Sequence, residues 1–174
     1  MSEPDLAAIV DQIQRRAEVA VDDREAASAH RTLEELPRLE RPFDEHADPV
    51  HITGSAVIVG PRGVILHKHR KLGIWVQPGG HVDAGETPGE AAAREATEET
   101  GLPVELVDDA VIHVDVHPGP NGHTHLDLRY LCSAPDRDPV PPPEESQEVL
   151  WLSWDDAIAR ADDGLRGLLL VLRP

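Results

Sequence analysis

Three glutamates, Glu95, Glu98 and Glu99, crowd into the short run Arg94-Glu95-Ala96-Thr97-Glu98-Glu99. On a helix each residue advances by about 100°, so Glu95 and Glu99 stand about 40° apart, with Glu98 about 60° to the other side of Glu95. All three carboxylates share one face. Left alone, that face is unfavourable. Like charges four residues apart cost roughly 0.2–0.5 kcal/mol, and negative charge in the last helical turn costs a further ~0.3–1 kcal/mol each. Arg94 offsets part of this by pairing with Glu98, and a divalent cation would reverse the sign of the whole cluster. Hard oxygen donors with no His or Cys among them select Mg2+ or Mn2+ rather than zinc. Mg2+ keeps several waters and shares its remaining positions with substrate phosphates. It can polarise a phosphoryl oxygen and acidify a bound water.

The helix that must carry these residues has legible ends. Thr87 suits the N-cap, Pro88 the first helical position, and Glu90 completes a capping box. Gly101 suits the left-handed residue that ends a helix, with Leu102 packing back beyond it. The spacing predicts a helix over 88–100, reached from a short strand at Trp75 through the Gly-rich loop Pro78-Gly79-Gly80.

The surrounding spacing carries further information. Gly80 is followed after five residues by Glu86, after seven more by Arg94-Glu95, then by Glu98-Glu99 and by Gly101-Leu102. This run resembles the signature of the Nudix hydrolase family, with Ala96 smaller than the usual aliphatic residue. The resemblance covers the signature strictly and residues 50–160 loosely. It implies an α/β fold, an α/β/α sandwich around a mixed sheet, with the signature as a loop–helix–loop. It implies that Glu95, Glu98 and Glu99 ligate metal, with the Gly80 backbone close to the metal or a phosphate. Arg94 would orient the glutamates, Glu86 would brace the loop, and Gly101 would end the helix. Glu98, Glu95 and Arg94 would then carry catalysis, joined by a loop carboxylate just before the strand holding Trp151. Glu144, Glu145 and Glu148 are the candidates, with Glu145 preferred.

The implied reaction is Mg2+-dependent hydrolysis of a phosphoric anhydride in a nucleoside diphosphate linked to another moiety. A nucleotide sugar, ADP-ribose, a nucleoside triphosphate or a dinucleoside polyphosphate would qualify, and Mn2+ could replace Mg2+. Two alternatives use the same fold: a non-catalytic nucleotide sensor, and a diphosphate isomerase. Isomerases of this kind use a cysteine near the segment corresponding to Trp75–His81, where this chain has none; Cys132 lies in a strand-like segment.

Alternation along strands marks two more rows. His113, Asp115 and His117 point to one side of one strand, and His123, His125, Asp127 and Arg129 to one side of the next. A hairpin through Pro118–Gly122 would bring both rows onto one sheet face. Three readings stand open: substrate recognition, chiefly by His123, His125, Asp127 and Arg129; a second metal held by imidazoles; or a polar face turned to solvent. The densest basic patch is His67-Lys68-His69-Arg70-Lys71, and lysine occurs only at 68 and 71. Arg70 and Lys71 are therefore candidates for phosphate contact, with strand-end solubility as the plain alternative.

The rest of the chain supplies context. Residues 1–49 read as helical, with Leu6, Ile9, Val10 and Ile13 on one stripe and a second helix ending before Pro37. They form an expected lid or dimerisation segment, so a homodimer is in view. Residues 50–174 form the expected main domain, and Ser153 with Asp156 opens a final helix. With aromatics at 3%, Ala, Val, Leu and Ile must fill the core. A net charge of −17 argues against a nucleic-acid backbone or an anionic membrane as partner. It leaves a small-molecule nucleotide or diphosphate as the expected substrate. The single cysteine permits no internal disulfide. The N-terminus lacks a secretory pattern, and the apolar run Leu168–Leu172 is too short to span a bilayer. The expected location is cytoplasmic.

Overall fold

The computed structural model describes residues 5–174. Two N-terminal helices, α1 (Leu6–Glu18) and α2 (Asp23–Glu35), precede a mixed sheet. Its strands are β1 (Val50–Gly60), β2 (Gly63–Lys68), β3 (Trp75–Val76), β4 (Gly79–His81), β5 (Glu105–Pro118), β6 (Thr124–Ser133) and β7 (Val149–Leu152). The order is β3-β2-β1-β6-β5, with β4 also paired to β1 and β7 to β2. β1 and β6 run parallel and the other pairs antiparallel. Helix α3 (Pro88–Thr100) separates β4 from β5, and α4 (Trp154–Arg160) and α5 (Asp163–Leu172) follow β7.

Helices cover both faces of the sheet, giving the expected α/β/α sandwich. Ile52, Ala56 and Ile58 of β1 and Leu126 and Leu128 of β6 pack into one apolar core with α1, α2 and α3. Val57, Val64 and Leu66 face the other way, against Leu165, Leu168 and Leu169 of α5. The apolar stripe of α1 serves the first core, where Ile9 and Ile13 are buried.

Helix α3 has the predicted bounds. Thr87 and Glu90 form a reciprocal capping box, and Gly101 closes the helix at φ 67°. The helix lies so close to β1 that a Cβ at Gly54 would meet the carbonyl of Pro88. That approach fixes the height of α3 over the sheet, and with it the position of the glutamates.

The final helix is two helices. The chain extends at Ala161, which bridges to Trp75, and Asp162 caps α5 by accepting from the Leu165 N–H at 2.9 Å. An Asp side chain that satisfies a free helical N–H starts a new helix more readily than it continues an old one.

The N-terminal helices close an exposed sheet edge. β5 ends the strand order, so some of its backbone donors have no strand partner. Val111 N–H donates to Gln12 Oε1 at 2.7 Å, Val114 N–H to Glu25 Oε1 at 3.2 Å, and Val116 N–H to Ser28 Oγ at 3.2 Å. Glu25 is fully buried and also accepts from Arg16 and from the Val21 N–H. Among the described residues no helix is long and apolar enough to cross a membrane.

Removing one partner of a buried charged network leaves the others unpaired, at a cost of roughly 3–5 kcal/mol. Glu25→Ala should therefore lower unfolding stability by about 3 kcal/mol, read as a fall in the urea midpoint. A change under about 0.5 kcal/mol, the range of ordinary surface substitutions, would contradict this role.

Candidate active site

The glutamate cluster is organised by Arg94. Its Nε donates to Glu86 Oε1 at 2.8 Å and its Nη2 to Glu86 Oε2 at 3.0 Å, a two-pronged grip on the loop. Nη1 donates to Glu95 Oε1 at 2.9 Å, and Nη2 also reaches the His81 carbonyl at 3.0 Å. Glu98 and Asp83 are each 3.7 Å away, so the pairing expected with Glu98 is weaker than those with Glu86 and Glu95. The hydrogen bonds from Arg94 hold the Glu86 carboxyl below its ordinary range. Glu86 Oε2 also accepts from the Asp83 N–H.

The Gly-rich strand β4 lies against the carboxylates. A Cβ at Gly80 would stand 2.5 Å from the Glu95 carboxyl carbon, so any side chain there would push the Glu95 carboxylate out of its present position. The neighbouring Gly79 N–H donates to Glu99 Oε2 at 2.9 Å. Burial pushes the Glu99 carboxyl up to about 8; the Gly79 N–H opposes this, and the charges of Glu95, Glu145 and Glu98 reinforce it. Burial likewise raises Glu95, against the pull of Arg94. Glu98 is the open member, with its side chain 57% exposed.

The loop acids separate clearly. Glu148 pairs with Lys68 at 3.2 Å, and Glu144 offers its backbone carbonyl to Arg70. Glu145 is the one whose charge acts on Glu99. Lys68, Arg70, Ser146 and Glu148 line a cavity of about 350 Å3 beside it. Lys71 is exposed outside that lining.

These residues suit a divalent cation. Glu99 is half-buried, and among the described residues no cationic side chain lies within 4.0 Å of it. The three carboxylates do not bring one oxygen each within 4.8 Å of one another; Arg94 bonds Glu95 and the Gly79 N–H bonds Glu99. Mg2+ can be held by one or two carboxylates with waters completing its shell, so convergence of all three is not required.

The two polar rows meet as the hairpin predicts. His113 stands opposite Arg129, Asp115 opposite Asp127, and His117 opposite His125. Most of this face is covered. Arg129 and Asp127 are each 1% exposed, and so are His113 and Asp115. Arg129 pairs with Asp127 at 3.2 Å and Asp115 at 3.3 Å and donates to the Gly164 carbonyl at the start of α5. Thr53 and Ser55 donate to Asp127 Oδ1 at 2.9 and 2.7 Å. Asp127 and Arg129 are thus bonded to interior groups, Arg129 beneath the start of α5, and neither has the exposed surface that the expected substrate contact needs. Burial pushes the Asp115 carboxyl up. The His117 hydrogen bond and the charges of Arg129 and Arg24 outweigh it and hold the group below the usual range.

His123 and His125 belong to a different group. His125 pairs in register with His51 of β1, and His81 of β4 lies one step diagonal to His51. The ring centroids of His51 lie 5.2 Å from those of His81, His123 and His125. Burial lowers His51 and takes His125 down to about 3, so both rings are uncharged near neutral pH. The Nε2 atoms of His51, His81 and His125 are buried without a hydrogen-bond partner. An orphaned buried polar atom costs about 1–3 kcal/mol. His51 and His81 escaped the sequence reading. The available signal was the polar alternation His51-Thr53-Ser55 within an otherwise apolar strand.

A family profile described as NUDIX domain matches residues 49–170. An RNA pyrophosphohydrolase of Cereibacter sphaeroides is 37% identical over 73 residues, 40% of this chain and 45% of that protein. The asymmetrical bis(5'-nucleosyl)-tetraphosphatase of Caenorhabditis elegans is 34% identical over 100 residues, 55% of this chain and 70% of that protein. The chain spans less than half the length of the first of these relatives. A solved NUDIX-family hydrolase from Clostridium perfringens superposes with a TM-score of 0.59 at 28% identity, covering 70% of this chain and 92% of that one.

Glu99 carries a pH signature. An acid whose pKa rises from an ordinary 4.5 to about 8 on folding binds more protons folded than unfolded between those values. Stability of the metal-free protein should therefore fall as pH rises from about 4.5 to 8 and level off above, by on the order of 2–4 kcal/mol. Urea midpoints measured across pH in a chelator check this. Glu99→Gln should flatten that part of the slope, and an unchanged slope would contradict the assignment.

Proposed function

The chain belongs to the Nudix family, and on that premise we propose that it hydrolyses a phosphoric anhydride in a nucleoside polyphosphate, with Mg2+ as cofactor and Mn2+ as a substitute. The observation that carries this reading is the half-buried Glu99, held at the Gly79 N–H beside Glu95, Glu98 and Glu145 with, among the described residues, no side-chain cation within 4.0 Å of it.

Glu95, Glu98 and Glu99 would hold the cation beside the Gly80 backbone. Once bound, it supplies charge neutralisation at the phosphates and a water acidified toward neutral pH. Arg94 keeps Glu95 oriented and ties α3 to the loop through Glu86. Glu145 is the proposed general base, because its charge lies within reach of Glu99 and its backbone is held in the loop that Arg70 grips. Lys68 and Arg70, on the wall of the adjacent cavity, place positive charge where a phosphate chain would extend. Rate acceleration then rests on positioning and fixed charge rather than on a covalent enzyme intermediate. Cys132 gives no support to isomerase chemistry, since burial pushes its thiol up to about 12 and leaves no thiolate near neutral pH.

Two relatives bear names that concern RNA pyrophosphate and dinucleoside tetraphosphate. They support a substrate with three or more linked phosphates over a nucleotide sugar. A panel of diadenosine tetraphosphate, 5'-triphosphorylated oligonucleotide, nucleoside triphosphates and ADP-ribose, each with Mg2+ and with both products identified, tests this. Turnover of the longer phosphate chains is expected. Glu98→Gln and Glu99→Gln should each lower kcat about 100-fold or more, the scale of losing a principal charge-stabilising group. Undiminished Mg2+-dependent cleavage in both variants would contradict the site.

A further inference from the structure

A second group of ligand-type atoms lies across the sheet, apart from the glutamate carboxylates. Among the described residues, the only three His, Cys, Asp or Glu side chains whose ligand atoms gather within 4.8 Å of one another are His51, His81 and His125. They come from β1, β4 and β6, adjacent strands whose pairing fixes their Cα positions.

The orientation of the rings is as informative as their proximity. His51 Nδ1 lies 3.2 Å from the Asp48 carbonyl. A carbonyl can only accept, so Nδ1 carries the proton and Nε2 presents its lone pair. Backbone anchoring of one ring nitrogen is the usual way a protein aims the other at a metal. Nε2 of His51, of His81 and of His125 each lack a hydrogen-bond donor or acceptor. Glu45 Oε2 lies 3.3 Å from His81 Nε2, at a contact whose geometry does not make a hydrogen bond, and brings a carboxylate to the same place. His123 stands beside His51, and His117 beside His125.

We propose that His51, His81 and His125, with Glu45 as a further ligand, form a second metal site that takes one Zn2+-class transition ion. Imidazole nitrogens favour zinc and its neighbours, whereas the oxygen-only glutamate cluster favours Mg2+ or Mn2+. Ligand nitrogens around tetrahedral zinc sit about 3.3 Å apart, given Zn–N bonds of about 2.0–2.1 Å. The ligand atoms already lie within 4.8 Å of one another, so each pair would close by at most about 1.5 Å to reach that spacing. The ion would tie β1, β4 and β6 together one residue from Gly80, and so stiffen the strand that lies against Glu95. None of this depends on the hydrolytic reading.

The test uses the full chain without an affinity tag. Protein exchanged into Zn2+ with millimolar Mg2+ and then gel-filtered should retain one zinc per chain by elemental analysis. Its X-ray absorption edge should show imidazole scattering. Glu98→Gln/Glu99→Gln protein should keep that zinc, and His51→Gln/His125→Gln protein should lose at least nine-tenths of it. No retained zinc in the wild-type chain, an edge without imidazole scattering, or loss of zinc on substituting the glutamates would each overturn the proposal. Should the double histidine variant fail to fold, the wild-type absorption spectrum decides.

Discussion

The glutamate site depends on one guanidinium. Four carboxylates, Glu86, Glu95, Glu98 and Glu99, lie in one loop and helix, and Arg94 is the cation within 4.0 Å of three of them. Its planar fork reaches Glu86, Glu95 and the His81 carbonyl together, a span that a lysine ammonium could not cover with fixed geometry. The other acids are positioned by backbone. Gly79 offers an N–H to Glu99, and Gly80 leaves room for Glu95. Removing those constraints would let the carboxylates splay apart into solvent, the cheaper state for like charges without a metal.

The sheet beneath supplies rigidity by an unusual division. One face is plainly apolar, whereas the other carries a buried ionic network of Asp115, Asp127, Arg129 and their hydroxyl partners, roofed by α5. Buried ion pairs gain little net stability, but breaking one strands its partner. The network joins side chains of β1, β5 and β6 through Thr53, Ser55, Asp115, Asp127 and Arg129. The N-terminal helices act similarly at the edge, where side chains of Gln12, Glu25 and Ser28 replace a missing strand.

Local chemistry was legible in the sequence where it acts over a few residues. The bounds of α3 follow from Thr87, Pro88, Glu90 and Gly101 because capping is a near-neighbour interaction. Alternation put His113, Asp115 and His117 in one row and His123, His125, Asp127 and Arg129 in the other, both on one sheet face, while the register that sets His113 opposite Arg129 came from the fold. It could not say whether that face meets water or a helix. Asp115 and Arg129 are covered because α5 returns from far along the chain and sets Gly164 against both. The same limit hid His51 and His81. They meet His125 through a parallel pairing and a short β4 strand that no local pattern announces.

The proposed hydrolysis requires that Glu95, Glu98 and Glu99 hold a divalent cation on α3. Titration of the full chain with Mn2+, followed by electron paramagnetic resonance of the free ion, tests it without reference to any substrate. One Mn2+ per chain, displaced by excess Mg2+ and lost in Glu98→Gln/Glu99→Gln protein, is the predicted result. Mn2+ binding of unchanged stoichiometry and affinity in that variant would contradict it.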